Sequence, residues 1–214
     1  MSESVYDLVI LGAGSGGYAA ALRASQLGLK VALIEGDKVG GTCLHRGCIP
    51  TKAYLHAAET ADTVRESDAF GIQASFQGID MAKVGQYRDS IVNKLYRGVQ
   101  GLLSSRGVDV IQGWGRLASP DTIEVGGQRI VGRNIILATG SYSRSIPGLD
   151  ISGRIITSDQ AVQMEWVPQK AVVLGGGVIG LELASVWRSF GAEVTIIEAL
   201  PHLANNEDEA VSKH

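Results

Sequence analysis

Cys43 and Cys48 are the only cysteines of the 214-residue chain, and four residues separate them. They lie in the stretch Gly40-Gly41-Thr42-Cys43-Leu44-His45-Arg46-Gly47-Cys48-Ile49-Pro50-Thr51-Lys52. Three chemistries are open to such a pair. It can be two buried thiols with no role. It can contribute to a metal site with His45 or His56, although the spacing does not match the usual zinc patterns and there is no second cysteine pair. It can be a reversible dithiol–disulfide couple, which fits the residues best. On a regular α-helix, residues five apart have Cα atoms about 8–9 Å apart. A disulfide needs less than about 7 Å. The segment must therefore leave helical geometry between the cysteines, and Gly47 is placed to allow it. Pro50 suits the first turn of a helix starting nearby. A helix N-terminus there favours the Cys48 thiolate, and Lys52 adds positive charge one turn on.

A dithiol couple needs a source and a sink for electrons, and the flanking sequence supplies candidates. Tyr6 to Leu11 reads as a buried parallel strand. Gly12, Gly14 and Gly17 follow, then a helix through Gln26 with Gly28 as its stop, then a strand from Lys30 to Glu35. This is the strand–turn–helix–strand fingerprint of a dinucleotide site. Gly12 permits the tight turn, Gly14 lets backbone approach a pyrophosphate, and Gly17 lets helix and strand pack closely. The helix N-terminus offers free N–H groups to phosphate. Glu35 can accept hydrogen bonds from a ribose diol. The same unit recurs near the end of the chain in constant register, with Gly175, Gly177, Gly180 and Glu198 matching Gly12, Gly14, Gly17 and Glu35. Two aligned copies point to two dinucleotide sites, as in an enzyme that passes hydride between two cofactors. Glu198 favours NAD over NADP, since a carboxylate repels a 2′-phosphate and no Arg follows in Ala199-Leu200-Pro201-His202.

The expected fold is α/β with two Rossmann-like dinucleotide-binding domains of the FAD/NAD(P)-binding kind, over 1–150 and 151–214. Both are incomplete in this reading, because the second fingerprint reaches Glu198 and the sequence stops at His214. Residues 205–214 read as the opening of a helix that is cut. Between the two copies, 53–65 is helical in spacing. A longer helix is expected from Asp80 to Ser105, its apolar face of Met81, Val84, Ile91, Leu95, Val99 and Leu102 serving the core. Val108 to Ile111 reads as a strand. Thr122 to Val131 reads as a hairpin about Gly126-Gly127, and Asn134 to Ala138 as a further buried strand.

Composition narrows the function classes. A net charge of −3 with no basic run leaves no electrostatic footprint for nucleic acid or an anionic membrane. No apolar run approaches the ~18 residues of a membrane span. Met1 to Ser4 lacks the charged and apolar regions of a signal peptide. A cytoplasmic protein is expected.

At these motifs the sequence resembles the pyridine nucleotide–disulfide oxidoreductases, flavoproteins that bind FAD first and NAD(P) second. The likeness covers nearly the whole chain, with Ala138-Thr139-Gly140-Ser141 and Thr157-Ser158-Asp159 in family order between the fingerprints. It is nearest to the branch that oxidises dihydrolipoamide carried on an acyltransferase subunit. His45-Arg46 stands where the commonest form has Asn-Val, and Thr51 where many have Ser. The resemblance implies Cys43 as the interchange thiol toward substrate and Cys48 as the thiol against the flavin. It implies Lys52 near the flavin and Glu182 as the partner of that lysine. Gly12, Gly14, Gly17, Glu35, Thr42, Gly115, Thr139, Gly140 and Ser141 would contact FAD. Gly175, Gly177, Gly180, Glu182 and Glu198 would contact NAD. It further implies a homodimer whose later interface domain, absent here, supplies a His–Glu base. None of His45, His56, His202 and His214 matches that base. Other disulfide reductases of the family (mycothiol or mercuric reductases), or a non-catalytic nucleotide-binding fragment, are the alternatives. A monooxygenase-type flavoprotein is disfavoured, because it has no need of the cysteine pair.

Overall fold

The computed structural model describes residues 5–213. Met1 to Ser4, read above for a leader, and His214 lie outside them. Contacts divide the chain into a first unit, Met1–Cys48 with Val92–Arg144, and a second, Ile49–Ile91 with Ser145–His214.

In the first unit, β1 (Leu8–Leu11) leads through α1 (Ser15–Gln26) to β2 (Val31–Glu35). β1 is a run of four apolar residues, all buried, as a central parallel strand requires. α1 ends at Leu27, and Gly28 takes a left-handed conformation beyond it. β3 (Asp109–Gln112) and β7 (Ile135–Leu137) complete a four-stranded parallel sheet in the order β3-β2-β1-β7. One face, with Leu8, Ile10, Val31 and Leu33, packs with Ala21, Ala24, Leu103 and Val108. The other, with Val9, Leu11, Ala32 and Ile34, packs with Ile123, Val125 and Ile130. Those three come from an antiparallel sheet of β4 (Gly115–Ser119), β5 (Thr122–Val125) and β6 (Gln128–Val131). The expected hairpin is β5–β6, and positive φ angles of 54° and 78° at Gly126 and Gly127 suit its two-residue loop. β4 itself has no sequence signature, being a Gly-Arg start whose three middle residues, Arg116 to Ala118, are all exposed.

Two helices carry the cysteines. α2 (Gly41–Arg46) ends at Gly47, and α3 (Cys48–Glu66) begins at Cys48. α4 spans Met81–Ser105, close to the expected limits. The division between the units falls within α3 and within α4.

In the second unit, β8 (Lys170–Leu174), α6 (Val178–Phe190) and β9 (Glu193–Ile197) form the repeated fingerprint, with β8 and β9 parallel. A capping box of Thr157 and Gln160 opens the short α5 (Ser158–Ala161). The core joins Tyr54, Ala58, Met81, Val162, Leu183, Val186, Trp187 and Phe190. Tyr54, Trp187 and Phe190 meet with ring centroids 6.1–6.4 Å apart, within the range of favourable aromatic pairs. Arg88 Nη1 donates to Tyr54 Oη at 2.7 Å and to the Val162 carbonyl at 2.6 Å.

Three expectations need correction. The apolar face of α4 is not one core stripe: Leu95 and Leu102 are 41% and 51% exposed. Met81 and Val84 pack in the second unit's core, and Tyr96, Val99 and Leu103 in the first unit's. The helix therefore uses two short stripes, and the one in the first unit is a residue out of phase with Leu95 and Leu102. β7 is not buried, because it is the edge strand: Leu137 is 57% exposed. Among the described residues of that stretch, 205–213, only Glu209–Ser212 forms a helix, α7.

Candidate functional site

The two sulfurs are bonded to each other, which leaves neither free to ligate a metal. Their Cα atoms are 4.6 Å apart, well inside the helical separation of about 8–9 Å. The chain achieves this by stopping one helix and starting another. Gly47 takes φ −137° and ψ −111°, outside helical geometry. A β-carbon there would stand 3.1 Å from the Thr42 carbonyl oxygen and 3.3 Å from the Cys43 Cα. Cys48 is the first residue of a 19-residue helix with no acid in its first turn. Once reduced, its sulfur sits at the positive end of that helix. Cys43 is half-buried and Cys48 exposed.

The first glycine turn is shaped by close contacts. Gly12 has φ 99°, and a side chain there would strike the Ala138 carbonyl. A β-carbon on Gly17 would strike the Gly12 carbonyl oxygen, and one on Gly180 the Gly175 carbonyl oxygen. Gly14 is the extended N-cap of α1, and Gly177 that of α6. Neither helix has a side-chain cap or an acid in its first turn. Both therefore present backbone N–H groups suited to phosphate. Gly41 packs directly on Gly14: its β-carbon would stand 2.6 Å from the Gly14 Cα. The start of α2, with Thr42 exposed on it, thus lies against the first glycine turn. Thr139, Gly140 and Ser141 lie in the exposed loop after β7, and Thr139 Cα borders the space above Gly12. Gly115 has a packing reason of its own, since a β-carbon would meet Leu11, Ile123 and Ile34 side chains at 2.8–3.1 Å.

The two fingerprint acids are held alike. Glu35 Oε2 accepts from the Ala13 N–H at 2.7 Å, and its Oε1 from the Asp37 N–H at 2.8 Å. Glu198 Oε2 accepts from the Gly176 N–H at 2.6 Å, and its Oε1 from the Leu200 N–H at 2.8 Å. Ala13 and Gly176 are equivalent positions of the two copies, as are Asp37 and Leu200. Two N–H bonds use half of the roughly four acceptor positions of a carboxylate, so each acid is aimed by backbone while keeping acceptor capacity. The N–H groups of Leu200 and then Gly176 hold the Glu198 carboxyl below the usual range.

Lys52, four residues beyond Cys48 in α3, forms an ion pair with Glu182 of α6 within the second unit. The two residues lie 130 positions apart in the sequence, so the fold of the second unit brings them together. Three further residues carry no sequence signature. Arg46 Nη2 donates to Asp37 Oδ2 at 3.2 Å, while its Nε is buried without a hydrogen-bond partner. Trp114, 83% exposed, lies beside Gly36, where a β-carbon would meet its ring at 2.6–2.8 Å. Position alone, not motif, puts them next to Glu35.

The family model described as pyridine nucleotide-disulphide oxidoreductase matches residues 6–214. A dihydrolipoyl dehydrogenase of Bacillus subtilis is 44% identical over 97% of this chain and 47% of that protein. One of Pseudomonas aeruginosa is 44% identical over 97% of the chain and 46% of that protein. The chain thus spans about half the length of these curated relatives. Among solved structures, the HOCl-induced flavoprotein disulfide reductase RclA of Escherichia coli matches with a TM-score of 0.79 at 30% identity. That match covers 97% of this chain and 45% of RclA.

Proposed function

The chain belongs to the pyridine nucleotide-disulphide oxidoreductases, and from that premise we propose that it forms part of a dihydrolipoamide-oxidising flavoprotein that reduces NAD. The observation that carries this reading is the Cys43–Cys48 bond across the Gly47 break, in a chain with two equally built acid-and-glycine turns. The names of its relatives support the substrate.

A thiolate of dihydrolipoamide attacks Cys43 sulfur, and Cys48 leaves as a thiolate. The second lipoyl thiol then attacks the mixed disulfide and releases Cys43. One lipoyl disulfide forms as the protein disulfide becomes two thiols, so atoms and electrons balance. FAD, when bound, supplies the route for those electrons to NAD.

The first turn fits such a nucleotide: Gly12, Gly14 and Gly17 leave the backbone of the α1 N-terminus bare for a pyrophosphate. In this assignment 1–150 binds FAD, with Glu35 on the ribose and Thr42, Gly115, Thr139, Gly140 and Ser141 around the cofactor. Residues 151–214 bind NAD through Gly175, Gly177, Gly180, Glu182 and Glu198. Lys52, fixed by Glu182, places its charge beside the flavin. The substrate arrives on an acyltransferase subunit, and the working protein is a cytoplasmic homodimer. Among the described residues no helix is long and apolar enough to cross a membrane. The likeness to RclA favours, as a second reading, a reductase of another disulfide.

The test is spectroscopic and kinetic. The purified full-length protein carries flavin and, on partial reduction, shows a long-wavelength thiolate–flavin band. Cys48→Ser abolishes the band, and Cys43→Ser shows it without reduction. Full-length protein that binds no flavin refutes the proposal. NADH formation from dihydrolipoamide, set against NADPH-driven reduction of other disulfides, decides between the two readings.

A further inference from the structure

Both polar side chains between the cysteines turn back to the loop that follows β2. His45 Nε2 hydrogen-bonds the Val39 carbonyl at 2.9 Å, and its ring meets Tyr96 edge-on at 5.1 Å between centroids. Arg46 pairs with Asp37 at 3.2 Å. The Asp37 peptide is itself fixed: its N–H donates to Glu35 Oε1 at 2.8 Å, and its carbonyl accepts from Gln112 Nε2 at 2.9 Å. α2 has only six residues, too few to persist as a helix in water without tertiary support. Buried Leu44 anchors its middle. Its last turn, directly before Gly47, is held by His45 and Arg46.

We propose that His45 and Arg46 are positioning residues for the dithiol, holding the segment from Cys43 to Cys48 in place when the disulfide opens. The proposal rests on the reversible reduction argued above. In the oxidised protein the S–S bond restrains this segment, so losing the anchors changes little. In the reduced protein that restraint is gone, and the two anchors add to the hold of buried Leu44. Loosening them gives the dithiol state conformational entropy and makes the two thiols meet less often. The equilibrium constant for protein dithiol plus oxidised glutathione, giving protein disulfide plus two reduced glutathiones, then falls.

The test equilibrates the purified protein in glutathione redox buffers and counts free thiols after acid quenching and alkylation. Arg46→Met lowers the constant about fivefold, the scale of one partly exposed ion pair. For a two-electron couple that is a shift of about 20 mV toward the more oxidising side. Asp37→Asn does the same from the other partner, and the double variant adds nothing further, because both remove one pair. Arg46→Lys restores most of the effect. Arg116→Met, which breaks the exposed Arg116–Glu124 pair on the antiparallel sheet, leaves the constant unchanged and so serves as the control. An Arg46→Met constant equal to wild type, or fully additive effects of Arg46→Met and Asp37→Asn, overturns the proposal. A wild-type couple that glutathione cannot open overturns the redox reading itself.

Discussion

Gly41→Ala tests a close backbone approach in the first unit. Gly41 has φ 59°, and a β-carbon there would lie 2.6 Å from the Gly14 Cα and 3.4 Å from the Gly14 nitrogen. Two costs follow. A non-glycine residue in left-handed backbone costs about 1–2 kcal/mol. Backbone cannot swing aside as a side chain can, so the overlap adds about 1–3 kcal/mol of overpacking. Together they predict a loss of about 2–5 kcal/mol, or roughly 4–20 °C in melting temperature for a chain of this size. Gly28→Ala is the matched control. Its φ is 81°, but nothing lies within 4 Å of the added carbon. It should lose only the backbone term, about 1–2 kcal/mol. Urea unfolding of both variants, followed by circular dichroism, measures the difference. Nucleotide affinity should fall for Gly41→Ala alone, since the substitution pushes α2 away from the phosphate turn. If the two variants unfold alike and bind nucleotide alike, the Gly41–Gly14 contact is not what sets this geometry.

Two further outcomes follow from the second unit. Arg88→Ala removes the donor to Tyr54 Oη and to the Val162 carbonyl. It should cost about 2–3 kcal/mol in urea unfolding, because acceptors in a core lose a charged donor; a loss under about 0.5 kcal/mol would contradict this. The Glu198 carboxyl is held low by the Leu200 and Gly176 N–H groups. A depressed folded value means that its stabilising effect is present above the ordinary carboxylate range and is lost as pH falls through that lower value. Glu198→Gln should therefore match or fall below wild type at neutral pH and lose less on acidification, and parallel unfolding curves from neutral to acid pH would rule the linkage out.

What could be read in the sequence was local. The glycine turns, the stop at Gly28, the Gly126-Gly127 hairpin and the break at Gly47 each depend on a few adjacent residues, whose backbone preferences survive into the fold. The repeat of the first fingerprint from Gly175 to Glu198 was legible for the same reason, since each copy carries its own strand, turn and helix signals. Even the cysteine pairing was foreshadowed, because helical geometry and disulfide geometry cannot both hold over five residues. Tertiary structure decided what depends on distant chain. Leu95 and Leu102 have the spacing of a core face, yet which residues of α4 are covered depends on packing with Val108 and Phe190, not on periodicity. Leu137 looks like its buried counterpart Leu11, but β7 lies at the sheet edge and β1 does not. Glu35 and Glu198 are recognisable as acids at the right position. That each is aimed by an N–H 22 residues back, in its own glycine turn, required the fold. The Lys52–Glu182 pair spans 130 residues, and the Arg46–Asp37 pair spans nine across a turn of the chain. A side-chain pair of this kind has no local signature, because its energy appears only after the two backbones have been brought together.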